Sequence, residues 1–300
     1  MIKPNLFLVG APKCGTTALY AYIREHPNVF MARKEIHYFS EDFPSYGKTK
    51  TLDQYKALFN GINKTHLVIG EASVWYLYSS VALKNIYKFN PDAKIIVMLR
   101  NPIDMVYSLH SQLRLSLIED EKKFAKAWEM QDLRQVGKHI PPKCPEKAFL
   151  LYKKVGSFTF QLKRLYDIFP SEQVKVIIFD DFVKSTKKVY EEVIDFIEVV
   201  SDERIDFPII NENSVIRSEW LGHMAHHPPQ TIMKSVNAVK NLCGIDSLGI
   251  IKYLKEINKK KTKRRSLDIE LKEELVNSFR GEVQSLSNFL NRDLGHWLSI

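Results

Sequence analysis

Three hundred residues carry 44 Lys and Arg against 35 Asp and Glu, a net charge of +9, with 45% apolar and 26% charged residues. This composition excludes a disordered chain, and its three cysteines exclude a disulfide scaffold and fit a reducing compartment. The basic excess asks for an anionic partner: a nucleic acid, a membrane surface or a phosphate-rich ligand. Uninterrupted apolar runs such as Ile95–Leu99 fall far short of the roughly 20 residues that a membrane helix needs. Leu6–Val9 is too short for a signal-peptide core, so the expected location is the cytoplasm.

The first part of the chain alternates short apolar runs with helical patterns, the signature of a parallel sheet wound with helices. Leu6–Val9 predicts the first strand and Thr16–His26 the helix after it. Leu67–Ile69 predicts a second strand, with a helix near Ser79–Phe89. Lys94–Leu99 predicts a third, followed by a helix from Pro102 to about Leu117. A helix over about Leu151–Phe169 leads to a fourth strand, Val174–Phe179, and a helix near Lys184–Val199 follows. Beyond Phe207 strand-like runs stop and helices take over. The last helix, near Asp268–Asn291, places Leu271, Leu275, Phe279, Val283, Leu286 and Leu290 on one apolar stripe. The reading is a single domain over 1–300: an α/β core over 1–210 and a helical extension over 211–300.

The strongest local signal is Phe7-Leu-Val-Gly10-Ala-Pro-Lys13-Cys14-Gly15-Thr16-Thr17-Ala18. A strand that runs through a glycine loop into a helix points free backbone amides, and the positive end of the helix dipole, at one spot. Lys13 adds a full charge, and the Thr16 and Thr17 hydroxyls add donors. The assembly suits a phosphate group. It departs from the nucleoside-triphosphate loop G-x-x-x-x-G-K-[ST], because Thr16 stands where the lysine belongs and the lysine has moved to position 13. Cys14 reads as a small loop residue, at a helix start that would lower its pKa.

Pro12-Lys13-Cys14-Gly15-Thr16-Thr17 resembles the 5′-phosphosulfate loop of sulfotransferases that use 3′-phosphoadenosine 5′-phosphosulfate (PAPS). With Lys34-Glu35-Ile36-His37-Tyr38-Phe39, the resemblance is to the branch containing heparan sulfate and bacterial glycan sulfotransferases. It extends over most of the chain, with looser or closer matches at 70–78, 98–111, 152–170 and 263–297. It implies a P-loop-like parallel sheet flanked by helices, PAPS as sulfuryl donor, PAP as product, and no metal.

Arg100 emerges at the carboxyl edge of the third predicted strand, where open α/β sheets bind ligands. Ser108 lies two helical turns on and can face the same pocket. On residues alone, an Arg100 pair with Asp104 is an equal reading. The resemblance gives Arg100 and Ser108 the nucleotide 3′-phosphate. On residues alone, Glu35 and His37 form an ordinary solvated loop pair. The resemblance makes Glu35 the base that takes the acceptor proton and His37 its partner or alternate, with Lys13 neutralising charge on the leaving oxygen of an in-line transfer. Glu71, in Gly70-Glu71-Ala72-Ser73-Val74-Trp75-Tyr76, is expected as a second acid facing the acceptor cleft, although Val74 replaces the proline usual in the family. Trp75 and Tyr76 suit stacking on a sugar or base, and equally a core role.

Three histidines, His223, His226 and His227, read as a surface group, and His66, which precedes the apolar run of its strand, is expected at the far edge of the sheet and not as a base. Residues 252–265 hold eight basic residues and one acidic one. Charge so concentrated argues against nucleic acid or membrane along a whole face. The resemblance makes Lys263, Arg264 and Arg265 a loop that closes over the cofactor. The acceptor is expected to bear a hydroxyl and, by the branch resembled, to be a glycan; a lipid, a polyketide-type product or a peptide tyrosine stays open. Arg114, Trp128, Arg134 and Lys138 would suit it. Two rival functions remain: a P-loop kinase or NTPase, for which Val176–Asp180 mimics a magnesium-carboxylate strand, and a polyanion-binding module resting on 252–265.

Overall fold

Five apolar runs pair into one sheet. In this computed structural model, which describes residues 3–47, 49–210, 214–216, 259–261 and 266–300, the strands are β1 (Leu6–Gly10), β2 (Val29–Met31), β3 (Val68–Ala72), β4 (Lys94–Leu99) and β5 (Val174–Ile178). Their order is β2-β3-β1-β4-β5 and every pairing is parallel. Parallel sheets are covered on both faces, so their strands read as continuous apolar runs. Every residue of β1 is buried, as is all of β4 after Lys94. The chain leaves β1 toward β2 on one side and later crosses from β3 to β4 on the other. The crevice at the carboxyl end of β1 is therefore the switch point where such sheets take ligands.

The expected α/β parallel sheet is present, with two differences in its strands. β2 escaped notice because three residues carry no readable period. β3 runs further than Leu67–Ile69: Leu67 is 61% exposed, and the strand continues through Gly70 and Glu71. Gly70 gives room to β2 and β1, since a Cβ there would lie 2.5 Å from the Met31 sulfur and 3.1 Å from the Leu6 carbonyl.

The helices are α1 (Thr16–Arg24), α2 (Leu52–Ala57), α3 (Ala82–Phe89), α4 (Pro102–Leu115), α5 (Phe124–Glu129), α6 (Gln131–Gln135), α7 (Tyr152–Val155), α8 (Phe158–Tyr166), α9 (Phe179–Lys184), α10 (Thr186–Phe196) and α11 (Ile269–Phe289). One expected helix is divided and another starts late. Leu151–Phe169 breaks between α7 and α8 at Gly156, which packs so closely on the Phe279 ring that a Cβ would lie 2.7 Å from it. Lys184–Val199 begins only after Ser185, because Lys184 closes α9. Beyond Phe207 helices do not take over entirely. Ser214–Ile216 (β6) pairs antiparallel with Lys259–Lys261 (β7). Partners so far apart in sequence leave no local signal, and a lysine run reads as a solvated face. Lys263, Arg264, Arg265 and the three histidines near Pro228 lie outside the described residues.

The chain divides into two compact units, one of residues 1–107, 151–211 and 269–300, the other of 108–150 and 212–268. The division does not fall at 210 as expected. The C-terminal helix returns to the unit that holds the sheet. Leu275, Val276, Phe279, Val283 and Leu286 of α11 are buried, and Glu282 accepts hydrogen bonds from the Thr159 amide (2.7 Å) and hydroxyl (2.8 Å) at the start of α8. In the second unit, Arg134 is fully buried and bidentate to Glu119, at 2.6 and 2.7 Å. It is a structural ion pair, which corrects its expected place on the acceptor wall. Trp128 is likewise buried.

Replacing Gly156 with Ala must displace the buried Phe279 ring. Denaturant unfolding of Gly156→Ala should show a loss of about 1–3 kcal/mol, the usual cost of overpacking. Wild-type stability would mean that Phe279 does not hold the α7–α8 break.

Candidate active site

Residues 11–15 link β1 to α1. Gly15 caps α1 in the left-handed region (φ 89°), and a Cβ there would meet the Phe179 ring at 2.8 Å, so only glycine fits. No side chain caps α1. The Thr16 and Thr17 amides precede the first intrahelical bond, which runs from the Ala18 amide to the Gly15 carbonyl at 3.0 Å, and a helix start of this kind suits an anion such as the 5′-end of a phosphosulfate donor. Thr16 is buried on that first turn, while Thr17 and Ala18 are half-buried. Cys14 is wholly buried beneath the loop, and its thiol lies 3.4 Å from the Pro12 carbonyl. Burial pushes that thiol up to about 12, outweighing the pull of Arg100 and Lys13. The expected lowering at a helix start is thus reversed, because desolvation exceeds the dipole.

The segment after β2 runs along the end of β3. The Ala32 amide donates to the Gly70 carbonyl and the Glu35 amide to the Ala72 carbonyl, both at 2.8 Å. The Ser73 hydroxyl then accepts from the Ile36 (3.0 Å) and His37 (3.1 Å) amides. A continuous polar line follows. Lys34 Nζ donates to the hydroxyls of Thr17 (2.9 Å) and Thr16 (3.3 Å) and lies 3.5 Å from Glu35 Oε1. Glu35 Oε2 accepts from His37 Nε2 at 2.7 Å and from the Val74 amide at 3.3 Å. A carboxylate only accepts, so His37 presents Nε2–H to it, and Nδ1 is buried without a partner.

Burial pushes the Glu35 carboxyl up, but the His37 bond, the Lys34 charge and the Val74 amide together hold it below its ordinary range. Tyr46 closes one side, with its ring centroid 4.8 Å from that of His37. Its hydroxyl, bonded to Trp75, is raised to about 12 by burial and the Glu35 charge. Trp75 is itself buried. Lys13, Glu35 and His37 share a feature invisible in the sequence: all three have left-handed φ, at 62°, 61° and 56°. Strain of this kind in residues with a Cβ is held only where surrounding structure imposes it, and it gathers at functional sites. Sequence reasoning passed over Lys34. It adjoins Glu35 in the motif, but nothing in the sequence tells that its ammonium turns back to the loop.

Glu71 is not in the cleft. It lies within β3, fully buried, and its Oε1 accepts from the hydroxyls of Tyr55 and Tyr76, both at 3.1 Å. The Tyr76 oxygen in turn accepts from the Phe39 amide at 3.3 Å. Burial raises this carboxyl to about 8, against the opposing donors Tyr55, Tyr76 and Ser73, and the Glu35 charge adds to the rise. The expectation of an acceptor-facing acid is corrected because β3 extends through Glu71 and has no solvent face there.

Arg100 follows β4. Its guanidinium lies 3.0 Å from Asp104 and 4.9 Å from the centre of the Phe179 ring. Its amide hydrogen-bonds the Cys14 thiol, which ties the end of β4 to the phosphate loop. The pairing with Asp104 is therefore real, and it engages one terminal nitrogen. Ser108 is buried on α4. Asp180, the carboxylate on which a magnesium reading depends, accepts from the Trp297 indole at 2.6 Å and from His296 at 2.9 Å. Asp181 pairs with Arg292. His66 Nδ1 accepts from the Asn63 amide in the turn ahead of β3. Among the described residues, no three His, Cys, Asp or Glu gather as metal ligands, and no helix is long and apolar enough to cross a membrane.

The raised Glu71 carboxyl makes the folded state bind a proton that the unfolded chain releases. It therefore stabilises fully below about 4.5, and that contribution is lost as pH rises toward about 8. Thermal unfolding of wild type against Glu71→Gln should show a decline over this window in wild type that the variant lacks. Parallel curves would refute the shift.

Three comparisons bear on this site. The family model described as Sulfotransferase domain matches residues 3–211. Human heparan sulfate glucosamine 3-O-sulfotransferase 5 is 24% identical over 180 residues, covering 60% of this chain and 49% of that protein. Mouse carbohydrate sulfotransferase 15 is 24% identical over 247 residues, covering 65% of this chain and 44% of that protein. The chain thus spans under half the length of these relatives. The crystal structure of a sulfotransferase from Alicyclobacillus acidocaldarius superposes over 100% of both chains with TM-score 0.71 and 26% identity. The matched model covers the sheet, the phosphate loop and the Glu35 segment alike, and this chain belongs to the sulfotransferase family.

Proposed function

We propose that the chain transfers a sulfuryl group from PAPS to a hydroxyl of a carbohydrate, with Glu35 as the base. The observation that carries this reading is the line of side chains from Thr16 and Thr17 through Lys34 to Glu35 and His37. An anion-binding helix start and a carboxylate kept ionised lie at opposite ends of one short network. The kinds of relative matched support the carbohydrate acceptor.

PAPS, when bound, supplies a sulfuryl group on a phosphate leaving group: the acceptor oxygen bonds to sulfur as the S–O bond to phosphate breaks and PAP departs with the electron pair. The residues of this chain do the rest. The α1 amides, Lys13 and the Thr16 and Thr17 hydroxyls bind the anionic end and offset charge on the departing oxygen. Glu35 Oε1 or Oε2 takes the acceptor proton, and His37 Nε2–H fixes the carboxylate and steadies its charge. Arg100 holds the 3′-phosphate, exchanging or sharing its Asp104 contact; a guanidinium has donors enough for both. Gly15 lets the backbone reach the ligand. A kinase reading lacks the lysine after Gly15, and its carboxylate Asp180 is engaged by Trp297 and His296.

Thermal unfolding with PAP should rise, since a ligand at one hundred times its Kd stabilises by about 2.7 kcal/mol. A rise with Mg-ATP and none with PAP would sink the proposal. Glu35→Gln should lower kcat by about 10²–10⁴ while leaving PAP affinity intact. Arg100→Ala should weaken PAP binding about tenfold or more, the scale of a lost charged hydrogen bond. Unchanged affinity in Arg100→Ala would remove it from the site.

A further inference from the structure

Lys34 is no part of the phosphate-loop signature, yet its ammonium joins the two halves of the site. An ammonium has three N–H donors and no acceptor. Here they face three oxygens: Thr17 Oγ1 at 2.9 Å, Thr16 Oγ1 at 3.3 Å and Glu35 Oε1 at 3.5 Å. The Lys34 side chain is only 15% exposed, with the Tyr20 ring 5.9 Å from Nζ. A hydroxyl that accepts from an ammonium on one side turns its own proton away from it. Both threonine hydroxyls, fixed on the first turn of α1, are thereby set as donors for an anion at the helix start. The same charge faces Glu35, which also meets His37, the Val74 amide and Tyr46 and acts electrostatically on the buried Glu71 of β3.

Resting on the sulfotransfer reading, we propose that Lys34 is a positioning residue with two linked tasks: it turns the Thr16 and Thr17 hydroxyls outward as donors to the phosphosulfate, and it keeps Glu35 in its carboxylate form. Removing the ammonium frees those hydroxyls to point elsewhere, and it removes a positive charge from beside the base. The first effect acts through the threonines, so it vanishes where the threonine hydroxyl is already gone. The second acts on the base, so it moves a pH profile and not merely a rate.

The experiment measures PAP affinity of the full chain by calorimetry at fixed ionic strength, in a cycle of Lys34→Met and Thr17→Val. Interacting groups couple by roughly 0.5–3 kcal/mol. Lys34→Met is therefore expected to weaken PAP about tenfold in the natural background and less than threefold in Thr17→Val. The acid limb of kcat/KM should move to higher pH in Lys34→Met and return toward the natural profile in Lys34→Arg, which retains the charge. Equal loss of affinity in both backgrounds overturns the proposal, and so does an acid limb that does not move. If the unmodified chain binds no PAP, the sulfotransfer reading itself falls. PAP binding without coupling removes Lys34 alone.

Discussion

The site depends on a few backbone hydrogen bonds that extend the sheet beyond its last strand residue. The amides of Ala32 and Glu35 continue the ladder onto the Gly70 and Ala72 carbonyls, and Ser73 receives the next two amides. These bonds oblige Glu35 and His37 to adopt left-handed backbone angles, which no local preference would choose. Without this seam the segment after β2 would be a surface loop. With it, a carboxylate and an imidazole stand at a fixed height above the end of β3, within reach of the helix that starts after β1.

Glu35 and Glu71 show how strongly placement governs chemistry. They are neighbours across this seam, and each influences the other. Glu35 meets an ammonium, an imidazole and an amide, and is held ionised at neutral pH. Glu71 meets only hydroxyls in a closed interior and is pushed the other way. Two carboxyls are driven apart in acidity by their surroundings, one kept charged beside Lys34 and His37, the other kept within the interior of the sheet. The interior acid matters because its partner Tyr76 receives the Phe39 amide, just after the strained pair.

The loop from β1 to α1 was legible in the sequence because its pattern is local: a glycine that becomes the left-handed cap, a lysine and two threonines within a few residues. Four of the sheet's five strands were legible for the same reason, as buried parallel strands are unbroken apolar runs, while β2 is too short to show one. What escaped was set by contacts distant in sequence. The expected strand stops at Ile69, whereas Gly70, closely approached by Met31 and Leu6, carries β3 on to Ala72 and so buries Glu71. Lys34 carried no signal of its direction. Arg134 reads as suited to an acceptor because its partner Glu119 lies fifteen residues away in sequence and leaves no local sign of the pairing. The acidity of Cys14 was misjudged because the sequence shows the helix start and not the complete burial.

The attachment of residues 292–297 carries a consequence for how the molecule is made. Arg292 reaches Asp181, Trp297 reaches Asp180, and the Trp297 carbonyl receives the Asn101 side chain, so this late segment clasps the ends of β4 and β5. All five strands of the parallel sheet have been synthesised by residue 178. During vectorial synthesis the sheet can therefore form while the rim beside Arg100 still lacks its partners. A growing chain holds an assembled sheet with an unclasped edge, and the two are brought into register only when residues 269–297 fold back.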